Sequence, residues 1–338
     1  MRLGMVGLGK MGLNMTLRLR RGAHGIVAYD RSASAVRKAA RAGAVPARSL
    51  EELVAKLPAP RVVWLMLPAG APTQKTLDEL AELLAPGDLV VDGGNSRYTD
   101  DAPRARYLGA KGLRYMDAGV SGGVWGLADG YCLMVGGERR DFKRLEPVLK
   151  ALAPKDGYLH AGPIGAGHYT KMVHNGIEYG MMQAYAEGFA LLKASGFDVD
   201  LAKTCALWNR GSVVRSWLLE LAGSAFRKDP QLKGLRGWVQ DSGEGRWTVL
   251  DAVERGVPVP VSALSLFARF SSREPDAFAN KVLAALRNEF GGHAVVAPAG
   301  LRSRRPGRSR ASGRGLRSHR PAGAKARLRD GGHAVKKK

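Results

Sequence analysis

The chain has 338 residues, 45% of them hydrophobic, and a formal net charge of +23. That length leaves room for two packed cores, and the longest apolar runs fall short of the roughly 20 residues of a membrane span, so a transmembrane protein is excluded. Cys132 and Cys205 are too few and too far apart to suggest a disulfide framework or a zinc site; both are expected to be buried packing residues.

Taken in order, the chain opens with a short apolar run, Leu3 to Val6, followed by GLGKMG (Gly7 to Gly12) and a helical pattern through Leu19. The apolar stretch leads straight into this glycine-rich turn and does not read as a signal peptide, so a cytoplasmic protein is expected. Further strand-like runs occur at Ile26 to Tyr29, Val62 to Leu67, Leu89 to Val91, Tyr115 to Asp117 and Tyr131 to Val135, with helical patterns between them at Ala33 to Ala42 and Gln74 to Leu84. Alternating strands and helices predict a Rossmann-type α/β fold, a doubly wound and mainly parallel sheet. After Gly167 the pattern turns to long helices as far as about Phe290, an all-α domain. The expected division is residues 1–164 for the dinucleotide-binding domain, 165–295 for a helical substrate and dimerisation domain, and 296–338 for a tail.

The charge is uneven. Residues 296–338 hold fourteen Lys and Arg against Asp330, +13 in 43 residues, leaving +10 for the first 295. With few large apolar residues this tail cannot offset its ordering entropy and is expected to be disordered. GGHAV occurs at Gly291 to Val295 and again at Gly331 to Val335, the pattern of a natural end interrupted by inserted sequence. Such a tail permits salt-sensitive, non-specific nucleic-acid contacts; a nucleic-acid-binding protein with a vestigial enzyme is the reading from a different class.

The G-x-G-x-x-G pattern gains weight from its place between a strand and a helix, with Asp30 18 residues after Gly12. Gly7 permits the tight turn, Gly9 lets backbone approach a pyrophosphate, and Gly12 allows close helix–strand packing. The helix N-terminus offers free N–H groups to phosphates. Asp30 can accept from both ribose hydroxyls and repel a 2′-phosphate, which favours NAD; Arg31 beside it keeps NADP open.

A second dense segment runs from Gly165 to Gln183. At helical spacing, Lys171, His174, Asn175 and Glu178 fall on one face. A solvated Lys–Glu pairing is the plain alternative, but Met172, Val173, Ile177 and Met181 on the other sides predict a helix surrounded by core. A lysine in such a dry place has a lowered pKa and becomes a general base. DGGNS (Asp92 to Ser96) and GVSGG (Gly119 to Gly123) each follow a predicted strand and are expected to rim the same cleft, where the Gly122 and Gly123 N–H groups and the Ser121 hydroxyl suit a carboxylate.

These motifs, with NRGSVVRS, GEGRWT and RNEFGGH after them, occur in the order found in the 6-phosphogluconate dehydrogenase family of β-hydroxyacid dehydrogenases, and the chain resembles that family over Met1 to Val295, in its short bacterial form. The resemblance implies oxidation and decarboxylation of 6-phosphogluconate to ribulose 5-phosphate and CO2, a pentose phosphate pathway reaction, with Lys171 as general base and Glu178 as proton donor and no metal. It implies substrate contacts from Asn95, Ser121, Gly122, Gly123, His174 and Asn175, and phosphate contacts from Tyr179, Arg215, Arg246, Arg287 and His293. Cofactor contacts are implied for Gly7, Leu8, Gly9, Lys10, Met11, Gly12, Asp30, Arg31, Ser32, Leu67, Pro68, Ala69 and Asn95. Three departures stand out against long-form members: Arg246 replaces a usual Lys, Pro68 replaces a Lys near the cofactor, and Asp30 replaces an Asn, so NAD is expected and NADP is the alternative. In the family Arg287 and His293 reach a neighbouring subunit's site, which implies a homodimer or homotetramer. The nearest rival is another β-hydroxyacid dehydrogenase, such as one acting on 3-hydroxyisobutyrate.

Overall fold

A computed structural model describes residues 1–296; the expected tail and the second GGHAV therefore lie almost wholly outside the described residues. The chain forms two compact units, Met1–Ala277 and a second that begins at Phe278. In the first, strands and helices alternate as β1 (Arg2–Val6), α1 (Lys10–Arg21), β2 (Gly25–Tyr29), α2 (Ala33–Arg41), β3 (Val45–Pro46), α3 (Leu50–Ala55), β4 (Val62–Leu65), α4 (Ala71–Leu83), β5 (Leu89–Asp92), α5 (Asp101–Gly109), β6 (Arg114–Ser121), α6 (Gly126–Asp129), β7 (Cys132–Gly136), α7 (Arg139–Leu152) and β8 (Tyr158–Gly162). Helices follow: α8 (Ala166–Ala194), α9 (Leu201–Trp208), α10 (Trp217–Lys228), α11 (Glu244–Arg255) and α12 (Pro260–Ser271). The second unit contributes α13 (Phe278–Gly291).

The eight strands form one sheet in the order β3-β2-β1-β4-β5-β6-β7-β8, parallel except where β7 runs against β6. Its central strands β4 and β5 are buried at every position, which is why they read as unbroken apolar runs without alternation. One face packs Met15 and Leu19 of α1 and Leu145, Val148 and Leu152 of α7; the other packs Leu50 and Leu53 of α3, Leu77 and Leu80 of α4 and Leu108 of α5. Phe189, Cys205, Leu219 and Phe226 form a smaller core among the later helices. Helix α8 lies directly on β6 and β7 at two glycines: a Cβ on Gly119 would sit 2.4 Å from the Lys171 Cβ, and one on Gly167 2.4 Å from the Met134 carbonyl oxygen.

Three expectations need correction. Cys205 is buried but Cys132 is exposed, because it opens β7 at the last rung of the ladder, opposite Ser121. The strand expected at Val62 to Leu67 stops at Leu65, releasing Met66 and Leu67 into a turn. The strand expected to end at Asp117 runs on to Ser121, because antiparallel pairing with β7 continues it, so only Gly122 and Gly123 of GVSGG lie beyond the strand, Gly123 opening a short 3-10 helix. The short edge strands β3 and β8 carry too few apolar residues to stand out in the sequence.

Candidate active site

At the carboxyl ends of the strands lies a cavity of about 1120 Å3. The glycine-rich segment and the turn after β4 contribute Met11, Met66 and Leu67 to its wall; the turn after β5 contributes Gly93, Gly94 and Asn95; the end of β6 contributes Ser121, Gly122 and Gly123. Helix α8 supplies Lys171, His174, Asn175 and Glu178. All eight residues expected at the reacting end thus meet in one place: Asn95, Ser121, Gly122, Gly123, Lys171, His174, Asn175 and Glu178.

Lys171 is 8% exposed. Burial lowers its pKa below the ordinary lysine value, while the carboxyls of Glu178 and Glu244 hold it back. His174 organises the face: its Nδ1–H donates to Asn175 Oδ1 at 2.9 Å, and its Nε2 accepts from the Ser121 hydroxyl at 3.2 Å. Lys171 Nζ lies 3.5 Å from His174 Nδ1 on one side, and Glu178 Oε2 lies 3.7 Å from the same nitrogen on the other. An amine and a carboxyl therefore flank one imidazole that β6 holds in place.

The apolar flank differs from expectation. Met172 is buried, but Val173, Ile177 and Met181 are exposed, Ile177 by 58%, and they line the cavity. Helix α8 uses its glycine side for packing: a Cβ on Gly176 would meet the Thr248 side chain at 2.7 Å. The Val173–Ile177–Met181 stripe is left facing open space.

The N-terminus of α8 is pinned by buried carboxylates that the sequence reading did not single out. Asp117 accepts from the Gly165 and His168 N–H groups at 2.7 and 2.8 Å. His168 Nδ1 pairs with Asp101 at 2.9 Å, and the Tyr115 hydroxyl donates to Asp101 at 2.8 Å. Burial opposes charge on His168, but Asp101, aided by Asp92 and Asp117, outweighs it and pushes the imidazole up to about 9. Asp92, the first residue of DGGNS, accepts from Gly94 N, the Ser96 hydroxyl and Arg104. Asp92, Asp101 and His168 approach closely enough to hold a cation, but the carboxylate oxygens and His168 Nδ1 are engaged by internal partners, only His168 Nε2 being buried without one among the described residues, and they clamp β5, α5 and α8 together.

At the glycine-rich turn, Gly7 has φ +92°, and a Cβ on Gly12 would lie 2.0 Å from the Gly7 carbonyl oxygen, whereas one on Gly9 would meet nothing within 4 Å. Gly7 and Gly12 are thus steric necessities, and Gly9 faces open space. Helix α1 begins after Gly9 with no side-chain cap and no acid in its first turn, leaving N–H groups and the positive end of the helix dipole for an anion. Asp30 closes the turn: its two oxygens accept from Leu8 N at 2.6 Å and Ser32 N at 2.7 Å. Of the other expected cofactor residues, Met11, Leu67 and Asn95 line the cavity itself, Ser32 caps α2 through Ala35 N, and Pro68 accepts from the Thr73 hydroxyl. Lys10 and Arg31 are exposed beside the turn, and Ala69 precedes α4. These residues fit a dinucleotide.

The expected phosphate end is not assembled within the first unit. Arg246 is exposed and paired with Asp241 through Nε at 2.5 Å and Nη2 at 3.2 Å, and Arg273 reaches the same carboxylate at 2.6 Å. The Arg246 hydrogen bond, with that of Arg273, holds the Asp241 carboxyl at about 2 against the effect of its burial. Arg215 is exposed and does not line the cavity. Tyr179 is buried, and its hydroxyl accepts from Ser242 N at 3.2 Å, so it braces the loop before α11. Arg287 and His293 belong to the second unit. The reading also passed over Glu244, a buried wall residue; its presence in GEGRWT, the motif quoted for Arg246, was the available signal.

A family model for the NAD binding domain of 6-phosphogluconate dehydrogenase matches residues 2–162, and one for the 6-phosphogluconate dehydrogenase C-terminal domain matches residues 167–294. The NAD(+)-dependent, decarboxylating 6-phosphogluconate dehydrogenase of Haloferax volcanii is 46% identical over 297 residues, covering 87% of this chain and 98% of that protein. The decarboxylating 6-phosphogluconate dehydrogenase of Synechococcus elongatus is 39% identical over 287 residues, which are 80% of this chain and 61% of that longer protein. Among solved structures, Plasmodium falciparum 6-phosphogluconate dehydrogenase, described in apo form, with NADP+ and with 6-phosphogluconate, is similar with a TM-score of 0.76 and 28% identity, covering 88% of this chain and 67% of that one.

Proposed function

Since the chain belongs to the 6-phosphogluconate dehydrogenase family, we propose that it oxidises and decarboxylates 6-phosphogluconate at the cavity between the strand ends and α8, with NAD as the preferred cofactor. The observation that carries this reading is the meeting of Lys171, His174 and Glu178 with Ser121 and Asn95 on the wall that the glycine-rich segment also forms. The nicotinamide, when bound, supplies the hydride acceptor. Lys171, its pKa lowered by burial, takes the proton of the C3 hydroxyl as the hydride leaves C3. The 3-keto group accepts the electron pair released when the C1 carboxylate departs as CO2, and the Lys171 ammonium stabilises the charge that develops on its oxygen. Glu178 then gives a proton to the carbon that lost the carboxylate, C1 of ribulose 5-phosphate.

Asn95, Ser121, Gly122, Gly123, His174 and Asn175 hold the carboxylate and hydroxyls in this reading, and Arg215, Arg246, Arg287 and His293 form the phosphate end once a second copy completes the site. A functional division at 164/165 follows the change from sheet to helices. Homo-oligomer formation is supported by exposed Leu250, Val253, Val261, Leu264 and Phe267 on α11 and α12, an apolar surface suited to burial against a second copy. NAD preference rests on Asp30, whose carboxylate is fixed at the end of β2 where a 2′-phosphate would meet like charge. Among the described residues no helix is long and apolar enough to cross a membrane. Cofactor reduction accompanied by equimolar CO2 release from 6-phosphogluconate tests the reading; faster turnover of 3-hydroxyisobutyrate, with no CO2 released, would overturn it.

A further inference from the structure

Glu244 is the first residue of α11 and is only 1% exposed, yet its side chain lines the cavity. Its Oε2 accepts from the Ser242 hydroxyl at 2.7 Å, while Oε1 is buried without a hydrogen-bond partner among the described residues. The side chain is held on a stiff frame. A Cβ on Gly245 would lie 2.5 Å from the Tyr179 ring, and the Thr248 hydroxyl donates to the Met172 carbonyl at 3.0 Å, so the start of α11 is locked onto α8. Lys171 and Glu178 both act electrostatically on this carboxyl, which places it beside the reacting pair. Native interiors rarely leave a buried acceptor unpaired, and this one belongs to a side chain in the wall of the candidate site.

The proposed substrate narrows what that ligand is. Its carboxylate and its phosphate are anionic acceptors and are repelled by a glutamate; only its hydroxyls are donors, and the one at C3 gives its proton to Lys171. Resting on the reading above, we propose that Glu244 is a specificity-determining residue whose Oε1 accepts a hydrogen bond from a substrate hydroxyl other than the one oxidised. It thereby selects polyhydroxy acids over short hydroxy acids, because an analogue lacking that hydroxyl leaves the buried oxygen unpaired.

The test pairs removal of the acceptor with removal of the donor. Wild type, Glu244→Leu and Glu244→Ala, neither of which carries an acceptor oxygen, are assayed with 6-phosphogluconate and with its single-deoxy analogues at C2, C4 and C5, and NADH binding and thermal melting are followed for each protein. Wild type is expected to lose about 10- to 100-fold in kcat/KM against one of these analogues, and that discrimination is expected to shrink to within about twofold in both variants. Variants that slow every substrate by the same factor, leaving the discrimination intact, overturn the proposal, as does a wild type that treats all three analogues alike. Should one variant fail to fold, the other carries the same comparison. A wild type that does not turn over 6-phosphogluconate at all sinks the proposed function instead, which separates the two failures.

Discussion

The two ends of the proposed substrate site are built in different ways. At the reacting end, Lys171, His174, Asn175 and Glu178 come from two turns of one helix and meet Ser121 and Asn95 from adjacent strand ends, all within one unit. At the phosphate end, Arg246 is drawn to Asp241, Arg215 stands exposed, and Arg287 and His293 lie in the other unit. A short-range device such as a helix face is complete once its helix is packed. A cluster drawn from distant segments waits on further assembly or on the ligand itself.

The largest way to break this contrast is at the reacting end. Lys171→Met is expected to lower kcat with 6-phosphogluconate by about 10³- to 10⁴-fold while leaving cofactor affinity within about twofold; a steady-state assay with a cofactor titration checks both, and a loss under tenfold would remove Lys171 as the base. The same amine sets a pH dependence. A base must be neutral to act, so kcat/KM should fall as pH drops through the Lys171 pKa, and burial places that limb below the ordinary lysine range.

Next in size, Arg246→Ala probes the far end. If binding draws Arg246 from Asp241 to the phosphate, KM for 6-phosphogluconate should rise about 10- to 100-fold with kcat little changed. An unchanged KM would leave Arg246 a partner of Asp241 alone. At the cofactor turn, Asp30→Asn should narrow the NAD over NADP preference by about tenfold, a differential of roughly 1.4 kcal/mol; the ratio of specificity constants measures it, and no change would take Asp30 out of the discrimination.

The smallest effect concerns the clamp under α8. His168 has a folded-state pKa raised to about 9, so the stability it contributes is fully present below its unfolded value of 6.5 and is lost as pH rises through the folded value. Urea unfolding midpoints should therefore fall between pH 7 and pH 10, and His168→Gln should flatten that decline. A decline of equal size in the variant would assign it to other groups.

Much of this was legible in the sequence for a definite reason. Gly7, Gly9 and Gly12 sit between a strand and a helix, and the Lys171 to Glu178 spacing matches the helical period; both features are local, and local geometry follows from chain order. Glu244 was legible only as a member of GEGRWT; that its carboxyl is buried in the cavity wall with Lys171 depends on how α11 packs on α8, which nothing near it in the chain reports. Nor was the exposure of Ile177: an apolar residue on a helix says that a surface wants covering, not which surface is covered.

The order of strands and helices, the glycine turn and the one-faced array on α8 were thus determined by sequence, since each depends on periodicity and on steric limits within a few residues. Tertiary packing alone decided which carboxylates face the amine, that Arg246 turns to Asp241, and that Cys132 ends its strand in the open. Those outcomes depend on how separate segments pack: Arg246 and Asp241 are only five residues apart, but Arg273, 32 residues from Asp241, joins the same carboxylate, and burial and charge pairing outweigh any local preference.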